Sequence, residues 1–218
     1  PFSDASLASP SIMTLWGAAA TYAPKSVLTL GRLANANATN GTIDLTADTA
    51  DQVTAAINQA HTGLAYAVRA ADGRTTLNYT SGTPKRQFAL YLDGLGVGSG
   101  YVVEHGSMVG SAGLLEQQTG SFSTTVPGLF VSGTHYPQDE APMVLLPAVR
   151  LASGSFSASN ANGFYALDTA TGHASGTISV SGSGGGIFTF YVVNPNKVVT
   201  LRFGAQNRSA VIDWLGSN

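Results

Sequence analysis

The sequence predicts an all-β protein of tandem, duplicated antiparallel units, each an up-and-down β-barrel or sandwich-like unit, with one short helix in the first. One pattern of residues occurs twice, about one hundred residues apart. Short segments of alternating apolar residues are separated by frequent turn signals, as in sandwiches and barrels. The chain is 44% hydrophobic with 26 glycines, which indicates a folded protein with many tight turns. The expected organisation is an extended N-terminal arm at 1–11, a first unit at 12–118 and a second unit at 119–218.

The duplication is carried by matched residues at a nearly constant offset. Tyr66 in the first copy corresponds to Tyr165 in the second, and Gly73 corresponds to Gly172. The other matches join Thr76–Tyr79 with Thr177–Val180, Phe88–Leu92 with Phe188–Val192, and Ser111–Ala112 with Ser209–Ala210. The copies share no acid, base or metal ligand at matched positions. A duplicated β unit of this kind favours scaffolding or binding over catalysis.

In the first unit, period-2 alternation of apolar residues predicts a series of short strands. Asp72-Gly73 has the signature of a two-residue hairpin turn between two of these strands. The predicted strands are 12–16, 18–22, 26–33, 42–45, 63–70, 74–79, 88–92, 101–104 and 109–115.

One segment of the first unit has helical spacing instead. Val53, Ala56, Ile57 and Ala60 recur at i, i+3, i+4 and i+7, and an aspartate or threonine near the start of the segment can cap it. The spacing predicts a short helix over 48–60. Because the second copy lacks this piece, it is interpreted as a local insertion.

The second unit has similar strand and turn signals. Its predicted strands are 128–132, 144–152, 154–158, 164–167, 176–180, 187–193, 198–203 and 209–215. Each copy therefore has about seven or eight strands, enough to close a small barrel. Whether the copies form two barrels or one merged sheet system stays open at this point.

The late strands also carry a family resemblance. Gly73–Leu77, Phe88–Leu92 and Gly110–Gln118, with Tyr191–Val193 in the second copy, resemble a lipocalin-like, β-barrel tandem repeat found in large secreted proteins of soil acidobacteria. The resemblance covers the later half of each copy, and Thr75 departs from it where a glycine is usual. It implies a secreted or surface-exposed repeat. That family has no assigned chemistry, so no catalytic residue is carried over.

Composition excludes several classes of partner. Only 10% of residues are charged, against roughly 25% in ordinary soluble domains, and the net charge is −2. No basic stripe is present to neutralise a phosphate backbone, so nucleic-acid binding is not expected. The apolar stretches are shorter than a spanning helix needs, and membrane insertion is not expected. A low-charge chain rich in Ser, Thr and Gly favours an extracellular or cell-surface location in a bacterium.

No pattern of residues indicates catalysis. The four histidines lie in no metal-binding or acid–base motif, and the chain has no cysteine. No G-x-S-x-G elbow joins a strand to a helix, and the glycines of 94–100 lack the Lys-Ser/Thr of a phosphate loop. The sequence therefore predicts no enzyme, catalytic residue or cofactor. Asp44, Asp48 and Asp51 are weak calcium candidates, for which helix capping and turn formation are the alternative explanation.

Four aromatic residues are candidates for an interaction surface: Tyr91, Tyr191, Trp16 and Trp214. The two tyrosines are expected on the strand face opposite the phenylalanines that fill the core. The favoured function is a non-catalytic extracellular structural protein that self-assembles into a surface layer or filament. Assembly would use strand edges and the N-terminal arm. The alternative is a barrel that binds a carbohydrate or a small apolar ligand, with Ala65, Ala67 and Ala89 leaving room inside.

Overall fold

The computed structural model describes the chain except residues 20–24, 51–53, 80–85, 106–108, 123–127, 136–143, 153, 159–160, 182–183, 205–210 and 218. Most of the described residues are in β-strands, with one turn of 3-10 helix as the helical part, and the predicted all-β class is confirmed. The chain divides into two compact units. The first comprises Pro1–Thr49 and Ala56–Gln118, and the second comprises Ala50–Ala55 and Thr119–Asn218. Among the described residues, no helix has the length and apolar character needed to cross a membrane.

The first unit is a curled antiparallel sheet of eight strands that forms a half-barrel. Its strands are β1 (Ser11–Ala19), β2 (Lys25–Asn37), β3 (Thr42–Ala50), β4 (Ala55–Ala65), β5 (Arg74–Tyr79), β6 (Arg86–Leu92), β7 (Gly100–His105) and β8 (Val109–Gln117). The order across the sheet is β4-β3-β2-β1-β8-β7-β6-β5. Strands β4 and β5, which follow each other in the chain, are therefore the two ends of the sheet.

Large side chains fill the concave side of this sheet. The buried cluster includes Met13 and Leu15 from β1, and Phe88 and Leu90 from β6. These residues alternate with neighbours on the convex side, as the period of a strand requires. Leu64 and Tyr66 join the same cluster, whereas Ala65 and Ala67 are exposed. The expectation that Ala65 and Ala67 leave room in the interior is therefore wrong.

The N-terminal segment is folded onto the first unit. Asp4–Leu7 forms the 3-10 helix, and Leu7 is buried in the core. The Asp4 carboxylate accepts a hydrogen bond from the Val68 N–H at 2.6 Å, and the Ser6 carbonyl accepts one from the Gly98 N–H at 2.7 Å. The segment predicted as an extended arm is thus neither fully extended nor detached, because burying Leu7 and pairing these polar groups holds it in place.

The second unit is a closed eight-stranded antiparallel barrel. Its strands are β9 (Gly128–His135), β10 (Val144–Ala152), β11 (Ser155–Ala158), β12 (Ala161–Leu167), β13 (His173–Val180), β14 (Gly184–Asn194), β15 (Lys197–Gly204) and β16 (Val211–Ser217). Each strand pairs with the next, and β16 pairs with β9 to complete the circle. The core includes Phe188 and Phe190, whose rings stack with centroids 6.0 Å apart, and Tyr165 against the edge of Phe190.

Matched hydrogen bonds support the duplication. The Gly73 N–H donates to the Arg69 carbonyl at 2.9 Å, as the Gly172 N–H donates to the Asp168 carbonyl at 2.8 Å. Both glycines have φ of 69°, a left-handed conformation that favours glycine. The Tyr66 N–H donates to the Gly41 carbonyl, as the Tyr165 N–H donates to the Gly154 carbonyl. The Leu92 N–H donates to the Gly73 carbonyl, as the Val192 N–H donates to the Gly172 carbonyl. The two copies therefore share their turn chemistry as well as their strand order.

The prediction of a helix over 48–60 is wrong. Strand β3 continues to Ala50 and β4 begins at Ala55, while 51–53, including Val53 of the helical pattern, lie outside the described residues. A helix of this length has little stability of its own. Backbone pairing with β3 and a 2.6 Å hydrogen bond from the Asn58 N–H to the Asp48 carboxylate stabilise the strand instead. The hydrogen bond joins residues ten positions apart, which is beyond the i to i+4 spacing from which the helix was predicted.

Candidate functional site

The first unit has an open seam between β4 and β5. In the second unit the corresponding strands, β12 and β13, pair continuously from Leu167 opposite Ala174 to Ala161 opposite Val180. In the first unit, the described hydrogen bonds between the two segments lie only at the turn that joins them. There the Arg69 N–H donates to the Arg74 carbonyl at 2.9 Å, and the Ala67 N–H donates to the Thr75 hydroxyl at 3.3 Å. Beyond the turn β4 and β5 separate, and each is an edge of the sheet.

Two left-handed residues bend β4 and tie it to β3. Asn58 has φ of 56° and Gly63 has φ of 66°. The Asn58 N–H donates to Asp48 Oδ1 at 2.6 Å, and the Gly63 N–H donates to Asp44 Oδ1 at 2.8 Å. Left-handed residues within a strand produce a local bend, as in a β-bulge. The two carboxylates therefore tie β4 to β3 at both left-handed residues.

These hydrogen bonds also account for two calcium candidates. Asp44 Oδ2 accepts a further bond from the Asn35 side-chain amide at 2.9 Å, and Asp48 is fully buried. Both carboxylates thus serve as acceptors for N–H groups. Asp51 lies outside the described residues. In the part of the chain that the structure describes, no three metal-ligating side chains come together.

The exposed edge of β4 has an unusual composition. None of Ala55–Gly63 is buried, and Leu64 is the first residue of the strand to enter the core. The strand contains no Asp, Glu, Lys, Arg or Pro. Natural sheet edges normally carry charge, proline or a covering segment, which prevents pairing with other chains. Among the described residues, the two left-handed positions are the one protective feature of this edge, which makes it the clearest candidate for an intermolecular contact.

A buried polar cluster lies on the concave side of the first unit, and sequence reasoning missed it. Arg86 Nε donates to Glu104 Oε1 at 2.5 Å, and a second guanidinium nitrogen donates to Glu104 Oε2 at 2.7 Å. The Arg86 and Glu104 side chains are only 9% and 2% exposed. The Thr29 hydroxyl accepts a bond from Arg86 at 2.7 Å, and the Ser111 hydroxyl donates to Glu104 at 2.5 Å. The cluster joins β2, β6, β7 and β8, and fixes their registers.

The alternation of side chains along β7 is the sequence signal from which this cluster could have been predicted. Val102 and Glu104 are buried, whereas Tyr101, Val103 and His105 are exposed. Glu104 and His105 therefore lie on opposite faces of the strand. A charged residue in the same phase as a core valine indicates a buried charge, which needs a partner of opposite sign.

His61, on β4, is close enough to Arg86 to be affected by its charge. Partial burial, and then the positive charge of Arg86, lower the pKa of His61 below its usual value. Both causes disfavour the protonated ring. The neutral ring of His61 is therefore favoured relative to that of an exposed histidine.

Two exposed tyrosines, Tyr91 and Tyr101, and the partly buried Arg74 form a strip on the convex side of the first unit. Tyr91 lies between Arg74 on β5 and Tyr101 on β7 in the strand register. Tyr91 is 41% exposed and Tyr101 is 61% exposed. The Arg74 guanidinium lies 5.9 Å from the Tyr91 ring centroid, and Arg74 Nε donates to the Tyr91 hydroxyl at 3.4 Å. This aromatic strip contains one of the four predicted interaction residues, Tyr91, and adds Tyr101.

The other predicted interaction residues are placed differently. Tyr191 is fully buried, with its ring 4.6 Å from the ring of His173, so it offers no exposed surface. Tyr191 was predicted to lie on the strand face opposite the core phenylalanines, and that face was expected to be exposed. Alternation along a strand cannot show whether other residues cover that face. Trp16 is partly buried on β1. Trp214 lies in β16, and its side chain is outside the described ones.

Comparison with known proteins adds no family or function. No protein-family model matches the chain, and no curated protein matches it. The functional argument therefore rests on the open seam, the edge of β4 and the aromatic strip.

Proposed function

We propose that this chain is a non-catalytic, extracellular structural protein that self-assembles through its β-strand edges into a filament or surface layer. The observation that carries the proposal is the edge of β4, which is eleven residues long, uncharged and almost entirely exposed. An edge of this kind presents backbone N–H and C=O groups to another chain. The N-terminal segment has no part in the proposal, because its described contacts are with the first unit.

Low overall charge supports assembly and a surface location. With 10 basic and 12 acidic residues, copies of this chain repel each other only weakly. The packed concave side of the first unit, with Phe88 and Leu90 at its centre, gives no support to a lipocalin-like role. A small-ligand barrel needs an internal pocket of several hundred Å³.

A lysine in β4 is expected to prevent assembly. In Ala60→Lys, pairing with a second chain would bury or crowd a positive charge, so we expect the assembled protein to become monomer of 22.3 kDa. The matched control is Ala38→Lys, an equally exposed alanine in the turn after β2, which should leave assembly unchanged. Light scattering after size-exclusion chromatography measures both. Assembly that survives Ala60→Lys, or that both lysines abolish equally, would contradict a role for this edge.

The aromatic strip favours carbohydrate binding as a second candidate function. Two exposed tyrosines on neighbouring strands offer apolar rings with polar hydroxyls, which suit the faces and hydroxyls of a sugar. We expect an oligosaccharide bound on a glycan array to lose on the order of tenfold in affinity when Tyr101→Ala removes the most exposed ring. Val103→Ala, on the same strand and face, is the control. An array without binding, or equal loss in both variants, would exclude the strip as a sugar site.

A further inference from the structure

We propose that the hairpin of β6 and β7 docks on a neutral phospholipid surface, with Leu95 at its tip in contact with the lipid. The loop of this hairpin, residues 93–99, joins the last facing pair of the two strands, Leu92 and Gly100. Every residue of 93–97 is exposed, and Leu95 is 91% exposed. Lipid contact through this loop is separate from the strand edge proposed for self-assembly.

Exposed apolar residues are concentrated in the β6–β7 hairpin. Among the residues that the structure describes in the first unit, all the large apolar side chains with high exposure lie within 91–103. They are Tyr91, Leu95, Val97, Tyr101 and Val103. Single exposed apolar residues are ordinary on a protein surface, whereas several together mark a site of contact with a protein, a ligand or a membrane.

The equivalent hairpin of the second unit, formed by β14 and β15, has a different loop. That loop, 193–197, has five residues with Asn-Pro-Asn at its centre, against seven residues in the first unit. The Asn196 N–H donates to the Asn194 side-chain oxygen at 2.9 Å. Tyr191, which corresponds to Tyr91, is buried. A short polar turn is therefore enough to join these strands, and the longer apolar loop of the first unit calls for another explanation.

The order of side chains along the hairpin matches the depth profile of a lipid layer. The aliphatic residues Leu95 and Val97 lie at the tip, and the facing tyrosines, Tyr91 and Tyr101, lie one pair below the loop. Aliphatic side chains favour hydrocarbon, whereas tyrosine favours the interface, where its hydroxyl stays wet. An exposed apolar tip can enter a deformable lipid layer, whereas a protein partner would need a matching pocket.

The backbone of the loop is partly prepared for this environment. Unpaired N–H groups are costly in lipid. The Leu95 N–H donates to the Asp93 carboxylate at 2.9 Å, and the Asp93 N–H donates to the Ser99 carbonyl at 3.1 Å. The Gly98 N–H donates to the Ser6 carbonyl at 2.7 Å. Three N–H groups of the loop thus have acceptors within the chain, which lowers the cost of leaving water.

Charge favours a neutral lipid over an anionic one. Between Gln87 and Val103, Asp93 is the one charged residue, and it is acidic. Attraction to anionic lipids depends on clusters of lysine or arginine. The hairpin therefore suits a surface such as phosphatidylcholine, which has no net charge.

Vesicle flotation of the full chain with phosphatidylcholine tests the proposal. We expect Leu95→Ser to weaken partitioning into the vesicles on the order of tenfold, because one leucine no longer leaves water. Leu95 is exposed, so this substitution leaves the core intact. The matched control is Phe164→Ser, which removes a side chain that is 74% exposed on the second unit and should leave partitioning unchanged. Repeating both in Ala60→Lys separates lipid binding from assembly.

A fluorophore shows whether the tip itself meets the lipid. The chain has no cysteine, so Leu95→Cys carries a polarity-sensitive label at a single position. We expect its emission to shift to the blue when phosphatidylcholine vesicles are added. The same label on Phe164→Cys should show no shift.

Four outcomes would overturn the lipid contact while leaving self-assembly to its own test. They are a parent protein that does not float, equal losses in Leu95→Ser and Phe164→Ser, stronger binding to anionic vesicles than to neutral ones, and no blue shift at position 95. Glycan binding that Tyr101→Ala reduces and Leu95→Ser leaves unchanged, in a protein that does not float, would assign the hairpin to sugars instead.

Discussion

Glu104→Gln is expected to destabilise the first unit by about 3–5 kcal/mol. The substitution keeps the shape of the side chain but leaves the Arg86 guanidinium buried without its counter-charge, and removing one partner of a buried pair has this cost. Urea denaturation, followed by Trp16 fluorescence in a Trp214→Phe background, measures the loss. Trp16 lies in the first unit, so its signal reports that unit.

Two comparisons make this result specific to the ion pair. Glu116→Gln, the same change at a partly exposed position of β8, is expected to cost less than about 1 kcal/mol. The double variant Arg86→Met with Glu104→Leu should be more stable than Glu104→Gln alone, because it removes both buried charges. Glu104→Gln equal to Glu116→Gln in stability would show that the pair does not hold the sheet together.

Phe88→Ala is expected to destabilise the first unit by about 3–5 kcal/mol, through lost burial and the cavity that remains. Phe88 is fully buried, and the Arg86 guanidinium lies 5.1 Å from its ring centroid. Phe88→Leu keeps most of the apolar volume and should lose much less. The same fluorescence assay compares the two. Equal losses would indicate that the volume of the ring does not determine stability, and a negligible loss in both would contradict the packed concave side.

The fold class was predictable because its signals are local. Period-2 alternation, Asp72-Gly73 and the matched residues of the two copies all lie within short stretches of sequence. The segment 48–60 was not predictable in the same way. Its helical spacing is real, but the strand depends on backbone pairing with β3 and on carboxylates at Asp44 and Asp48. Non-local contacts of this kind override a weak local preference.

The open seam could not be predicted from the sequence, for a related reason. Tyr66 and Gly73 match Tyr165 and Gly172, so the repeat predicts the same closure in both units. Only strand pairing shows that β12 meets β13 and that β4 leaves β5. The burial of Glu104 and the exposure of Tyr101 could have been predicted, because the alternation of β7 places them on opposite faces. The burial of Tyr191 could not have been predicted, since alternation does not show which residues cover each face of a strand.

Electron microscopy of the purified protein over a range of concentrations tests the central claim most directly. Self-assembly through an uncharged strand edge predicts filaments or ordered arrays that grow with protein concentration and are absent in Ala60→Lys. Discrete particles of monomer size at every concentration, in the parent protein as in the variant, would contradict it.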